Sequence, residues 1–190
     1  MEQKKVFLVH GFNGTPNGGW RSWIMGQLAL KDIYACSLPM PTPDVPVKEE
    51  WISEIKHAIP VPTEDIFLVG HSLGVPAILN YLELLPEGKK IGGVLLVAGP
   101  VESLESENLN SKYRAIDGFF KDFDFNKIKK SSAQFTVIHS IDDPKVPVSH
   151  SKKLSSELGC ELAVLSNGGH LSDDILELPE AFSAIMHFLK

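Results

Sequence analysis

The stretch from Ile66 to Gly74 constrains the fold of this chain more than any other. Four apolar residues, 66–69, predict a buried strand, and Gly70-His71-Ser72-Leu73-Gly74 and a helical pattern follow directly. A strand, a sharp turn and a helix in immediate succession is typical of an α/β protein. Small residues are needed on both sides of Ser72, because a Cβ at Gly70 or Gly74 would collide with the neighbouring strand or helix. The turn therefore predicts that Ser72 is raised above the carboxyl end of a sheet.

The rest of the chain repeats this alternation of strands and helices. Short continuous apolar runs predict strands that are covered on both faces, as in parallel sheets. The predicted strands are 6–9, 33–36, 66–69, 91–98, 135–139 and 160–165, and the predicted helices are 20–30, 48–58, 73–85, 149–158 and 178–189. The predicted fold is a three-layer α/β/α sandwich with a mostly parallel six-stranded sheet, in a single domain over residues 1–190.

Charge and composition exclude several classes of partner. The chain has 18 basic and 24 acidic residues, a net charge of −6, which argues against binding to nucleic acid or to an anionic membrane surface. No apolar run approaches the ~18 residues of a membrane span, and the apolar run near the N-terminus is too short for a signal peptide, so we expect a cytoplasmic protein. Cys36 and Cys160 fit no metal-ligand spacing and are expected to be reduced thiols.

A serine on such a turn becomes a nucleophile only with a base and an orienting acid. The last predicted strand is followed by Gly168-Gly169-His170, and a histidine on this glycine-bearing loop can reach over the sheet edge to Ser72. His170 is therefore the predicted base. His71 lies within the turn and is expected to point away from His170.

The acid is expected after the penultimate strand, where Asp142 and Asp143 are adjacent. Successive residues in an extended turn point in different directions, so only one of them can face His170. The pattern Asp-x-x-Val-Pro favours Asp143 and leaves Asp142 as a turn residue or cap. Glu102, after the fourth predicted strand, is a further candidate.

Hydrolysis of an acyl compound also needs two N–H groups that bind the developing oxyanion. The residue after the nucleophile, Leu73, supplies one of them. The loop after the first strand supplies the other, and the backbone N–H of Phe12 is the predicted donor because Gly11 lets this backbone approach closely.

These residues together resemble the α/β-hydrolase superfamily, and within it the small serine hydrolases of the retinoblastoma-binding protein nine and YdeN type. The motifs that carry the resemblance are His10-Gly11-Phe12, Gly70-His71-Ser72-Leu73-Gly74, Asp142-Asp143-Pro-x-Val-Pro147 and Gly168-Gly169-His170. The resemblance covers almost the whole chain. It implies a compact hydrolase with little cap, and a triad of Ser72, Asp143 and His170.

The predicted activity is that of a serine hydrolase, carboxylesterase-like, acting on small acyl esters through an acyl-enzyme without a metal or organic cofactor. The alternative is a binding protein on a hydrolase fold with weak or incidental catalysis. The segment 101–124 is either a cap over the site or a surface loop with a short helix. Its aromatic residues, Tyr113, Phe119, Phe120 and Phe123, suggest an apolar acyl pocket.

Overall fold

The computed structural model describes residues 3–104, 116–172 and 174–190. Within them, the strands are β1 (Lys5–Val9), β2 (Tyr34–Ser37), β3 (Ile66–His71), β4 (Gly93–Val97), β5 (Phe135–Ser140) and β6 (Glu161–Leu165). The helices are α1 (Trp20–Ala29), α2 (Lys48–Ala58), α3 (Gly74–Glu83), α4 (Phe125–Lys130), α5 (Val148–Leu158) and α6 (Pro179–Phe188).

The six strands form one sheet in the order β2-β1-β3-β4-β5-β6, and every pair is parallel. The sheet is thus more regular than the mostly parallel sheet that the sequence predicts. The chain runs from β1 outward to β2 and then returns to the other side of β1 to form β3. This reversal places the loops after β1 and β3 side by side at the carboxyl edge, which is where ligands bind in open α/β sheets.

Each face of the sheet buries its own apolar core, which gives three layers. Along β1, Val6 and Leu8 face the core beneath α1 and α6, whereas Phe7 and Val9 face the core that α2, α3 and α5 cover. Consecutive side chains of a strand point to opposite faces. The uninterrupted apolar runs of the sequence follow from burial on both sides.

One region departs from the sequence prediction, and a second lies partly outside the described residues. The short helix α4 was not predicted, because six residues are too few to show a helical period; the Asp124 side chain caps it by accepting a hydrogen bond from the Lys127 N–H at 3.0 Å. In the segment 101–124, residues 105–115 lie outside the described residues, so the choice between cap and surface loop remains a prediction. None of the helices in the described part of the chain combines the length and the hydropathy of a bilayer span.

Candidate active site

Ser72 occupies the turn between β3 and α3 in a left-handed conformation, with φ at +53°. Its N–H donates to the Val97 carbonyl at 2.9 Å, which ties the turn to β4. The two flanking glycines are required for space: a Cβ on Gly70 would lie 2.9 Å from Ile78 Cδ1, and a Cβ on Gly74 would lie 2.3 Å from the Val9 carbonyl oxygen. The predicted crowding on both sides of the serine is therefore confirmed.

Ser72, His170 and Asp143 form a continuous chain of hydrogen bonds. The Ser72 Oγ lies 2.9 Å from His170 Nε2, and His170 Nδ1 lies 2.8 Å from Asp143 Oδ2. A carboxylate only accepts, so His170 carries its proton on Nδ1 and its Nε2 accepts from the Ser72 hydroxyl. This is the tautomer in which the imidazole can take the serine proton.

The Asp143 carboxylate is completely buried but well supplied with donors. Its Oδ1 accepts from the N–H groups of Lys145 and Val146 at 2.8 and 3.0 Å. Burial acts to raise the pKa of Asp143, but the hydrogen bonds from His170 and from these N–H groups outweigh it, so the pKa lies below its ordinary value. Asp143 is therefore held as an anion facing the imidazole.

The other two candidate acids have different partners. The Asp142 carboxylate turns to the backbone of the His170 loop and accepts from the N–H groups of Gly168 and Gly169 at 3.1 and 3.0 Å. Glu102 forms an exposed ion pair with Lys153. Of the three carboxylates, only Asp143 forms a hydrogen bond with the His170 ring.

The prediction that His71 points away from His170 is wrong. Its Nε2 lies 3.0 Å from the His170 carbonyl oxygen, to which it donates, and the two rings lie 5.2 Å apart. The His170 loop folds back over the face of β3 on which His71 packs against Trp20, so that His71 comes into contact with His170. Burial, followed by the nearby His170, lowers the pKa of His71 to about 3, so its ring is neutral.

A second buried histidine, His139, contacts Asp143, a contact that the sequence did not predict. Its Nε2 donates to the Val146 carbonyl at 2.9 Å and lies 3.4 Å from Asp143 Oδ2, while its Nδ1 accepts from the Ser151 hydroxyl at 2.7 Å. Burial lowers the pKa of His139. The signal in the sequence was its position at the end of a strand, four residues before Asp143.

The two predicted oxyanion donors belong to Leu73, which follows Ser72 directly, and to Phe12, which lies in the loop after β1. Leu73 precedes α3, at a helix end where N–H groups have no carbonyl of the same helix to bond. In the loop after β1, a Cβ on Gly11 would lie only 2.8 Å from the Ser72 Cβ and 3.2 Å from its Oγ. The loop that carries Phe12 thus comes directly against the serine. Both Phe12 and Leu73 line the same cavity as Ser72 and His170.

This cavity has a volume of about 710 Å³, which is within the range of small-molecule sites. Its apolar wall includes Phe12, Leu73, Pro100, Leu104, Ile116 and Val146, and its polar lining includes Asn13, Arg21, Lys145, Ser172 and Asp174.

The prediction that aromatics of the segment 101–124 form the acyl pocket is wrong for Phe119, which is buried in the core against Trp51 at 5.4 Å. Tyr113 lies outside the described residues. Among the described residues, no three His, Cys, Asp or Glu side chains are grouped to hold a metal ion.

Comparison with known proteins supplies the family context. A family model described as serine hydrolase matches residues 6–177. The protein YdeN of Bacillus subtilis is 35% identical over 172 residues, which cover 90% of this chain and 87% of YdeN. The crystal structure of the ydeN gene product superposes with a TM-score of 0.91 over 98% of this chain and 99% of that one, at 32% identity. The serine hydrolase RBBP9 of Rattus norvegicus is 24% identical over 89% of this chain and 88% of its own.

Proposed function

This chain belongs to the serine hydrolase family, and we propose that it hydrolyses small carboxylic esters through an acyl-enzyme formed on Ser72. The observation that carries the proposal is the chain of hydrogen bonds from Ser72 through His170 to Asp143, at 2.9 and 2.8 Å, on the wall of a cavity of about 710 Å³. Nucleophile, base and acid lie within hydrogen-bond reach in the order that acyl transfer requires.

In the proposed mechanism, Ser72 Oγ attacks the ester carbonyl carbon as its proton passes to His170 Nε2. Asp143 stabilises the resulting imidazolium through Nδ1. The N–H groups of Leu73 and Phe12 bind the oxyanion of the tetrahedral intermediate. Collapse expels the alcohol, which takes the proton from His170, and leaves the acyl group on Ser72.

Deacylation repeats these steps with water. His170 removes a proton from the water as it attacks the acyl carbonyl, and returns that proton to Ser72 Oγ when the carboxylic acid leaves. All proton transfers use the same nitrogen, and no redox change occurs. In this proposed cycle, His170 makes every proton transfer and Ser72 carries the acyl group.

Active-site labelling tests the nucleophile. A fluorophosphonate probe should label the folded protein at Ser72, and the label should be absent from Ser72→Ala. Ser53→Ala, which removes a hydroxyl from an exposed position of α2, is the matched control and should label like the parent. Absence of labelling in the folded parent protein would refute the proposal and favour a binding protein on a hydrolase fold.

A chain-length series tests the substrate class. The apolar wall formed by Phe12, Leu104 and Ile116 favours acyl chains longer than acetyl. Burial of one methylene contributes about 0.8 kcal/mol, or about fourfold in kcat/KM. We expect kcat/KM for p-nitrophenyl esters to rise by about this factor per methylene from acetyl to butyryl. A flat series from acetyl to octanoyl would contradict an apolar acyl pocket.

A further inference from the structure

Asp142 binds the backbone that carries the proposed base. One oxygen, Oδ1, accepts from the Gly168 N–H at 3.1 Å, from the Gly169 N–H at 3.0 Å and from the Ser140 hydroxyl. The three donors converge on a single carboxylate oxygen directly before His170. Asp142 thereby links the end of β5 to the loop that follows β6.

This loop needs external support because its backbone is unusual on both sides of the base. Gly169 has φ at +53° and Leu171 has φ at +50°, a conformation that a leucine adopts only when its surroundings impose it. The His170 ring must nevertheless remain within hydrogen-bond distance of both Ser72 and Asp143.

Three side chains bind consecutive backbone groups of this loop. Asp142 binds the N–H groups before His170, His71 donates to the His170 carbonyl, and Trp20 Nε1–H donates to the Leu171 carbonyl at 2.8 Å. Trp20 belongs to the core, and His71 directly precedes the nucleophile, so substitutions there would disturb more than the loop. Asp142 is exposed, which makes it the position at which loop support can be tested separately.

From these contacts we propose that Asp142 is a positioning residue for the hydrolase reaction, holding the loop so that the His170 ring lies between Ser72 and Asp143. The inference rests on the proposed function of Ser72, His170 and Asp143. The two adjacent aspartates then divide one task, because Asp142 fixes the backbone of the base and Asp143 fixes its ring.

The atoms involved predict opposite effects of asparagine at the two positions. All three donors to Asp142 reach Oδ1, so the amide oxygen of Asp142→Asn can accept every one of them. Asp143 uses both oxygens, Oδ1 for the Lys145 and Val146 N–H groups and Oδ2 for His170 Nδ1. In Asp143→Asn the amide NH₂ faces a nitrogen that must donate, which forces the wrong tautomer of His170.

The test measures kcat and KM on a p-nitrophenyl ester for substitutions at both positions. We expect Asp142→Ala to lower kcat on the order of 10²-fold with KM unchanged, since a displacement of about 1 Å has this effect. Asp142→Asn should stay within about threefold of the parent, since Asn retains the acceptor oxygen. Asp143→Asn should lose about 10⁴-fold.

Asp142→Glu separates charge from geometry, because it keeps the carboxylate and moves its oxygens. Geometry-dependent support predicts a lower kcat for Asp142→Glu than for Asp142→Asn, and the reverse order would overturn the proposal. Asp65→Ala, at the amino end of β3 and thus at the opposite edge of the sheet, is the matched control and should keep the parent kcat. A parent-like kcat in Asp142→Ala would also overturn the proposal that Asp142 positions His170.

A spectroscopic measurement distinguishes failure of this inference from failure of the proposed function. The proton on His170 Nδ1 that is bonded to Asp143 should give a downfield NMR resonance in the parent, in Asp142→Asn and in Asp65→Ala. It should broaden or disappear in Asp142→Ala. A parent protein that lacks hydrolase activity would refute the proposed function, whereas an unchanged resonance in Asp142→Ala would refute the positioning role whether or not the protein is active.

Discussion

Replacement of Gly74 by alanine tests whether close packing at the turn positions Ser72. Gly74 is the first residue of α3, and its backbone lies against the end of β1. A Cβ there would lie 2.3 Å from the Val9 carbonyl oxygen and 2.9 Å from that of His10. These are backbone atoms, so the crowding cannot be relieved by rotating a side chain, and α3 or β1 must move by about 1 Å to restore normal contact.

The sign of the stability change distinguishes this packing from simple helix propensity. In a helix, alanine is more stable than glycine by about 1 kcal/mol, so without the clash Gly74→Ala would stabilise the protein. Overpacking of a closely packed site costs about 1–3 kcal/mol, and the backbone contact at Gly74 belongs at the upper end of this range. We therefore expect net destabilisation by about 1–2 kcal/mol, or a fall in Tm of about 2–8 °C for a chain of this size.

Gly26→Ala is the matched control, because it makes the same change on an exposed face of α1 where a Cβ would meet no atom within 4 Å. It should raise the free energy of unfolding by about 0.5–1 kcal/mol and leave kcat unchanged. Urea denaturation measures both variants, and p-nitrophenyl ester hydrolysis should show a loss in kcat on the order of 10²-fold for Gly74→Ala alone. Equal stabilisation of both variants with full activity would refute the packing argument.

Three further predictions concern other parts of the molecule. Gly11→Ala would place a Cβ 2.8 Å from the Ser72 Cβ. We expect kcat to fall on the order of 10²-fold, because the loop that carries the proposed oxyanion donor Phe12 would be displaced. Unchanged turnover in the ester assay would contradict this. His71 has a pKa of about 3 in the folded protein and an unfolded pKa of about 6.5, so the unfolded state binds more protons between these values and stability falls as the pH falls. Between pH 6.5 and 4.5, the free energy of unfolding measured in urea should therefore fall by about 2 kcal/mol less in His71→Gln than in the parent. An equal fall in both proteins would refute the lowered pKa of His71. Burial raises the pKa of Cys160 to about 11, so iodoacetamide at pH 8 should modify this thiol about 10²-fold more slowly in the native than in the urea-unfolded protein, and equal rates would contradict its burial.

Much of the fold was predictable because it depends on local signals. Strands buried on both faces produce uninterrupted apolar runs, and glycine pairs mark the turns where backbone elements touch. The confirmed crowding at Gly70 and Gly74 is such a case, since a fixed spacing around Ser72 encodes a three-dimensional contact. Short elements gave no signal: α4 (Phe125–Lys130) has fewer than two turns, and its cap at Asp124 is one polar residue among many.

The candidate site was predictable only as far as chain order places residues at strand ends. The sequence put Asp142 and Asp143 after β5, but their division of contacts depends on where the loop after β6 lies, and that position is tertiary. The position of this loop also explains why the predicted orientation of His71 is wrong. The loop brings the His170 ring to 5.2 Å from the His71 ring, a proximity that the sequence does not show. The order of the strand ends predicted the contact between His170 and Ser72, whereas no motif or chain order in the sequence signals the contact between His71 and His170.

The neutral state of the buried histidines matters for the proposed reaction. In the proposed mechanism, an imidazolium forms on His170 as Ser72 attacks, and the His170 ring lies 5.2 Å from the His71 ring. A second positive charge at that distance would cost about 3 kcal/mol at an effective dielectric constant of 20, or about two orders of magnitude in rate. Burial prevents this cost by keeping the pKa of His71 at about 3 and by lowering that of His139 as well. Because His71 stays neutral, it donates a hydrogen bond to the His170 carbonyl but does not compete with the His170 imidazolium for the negative charge of Asp143. In the proposed reaction, His71 therefore supports the backbone of His170, whereas Asp143 stabilises the charge on its ring.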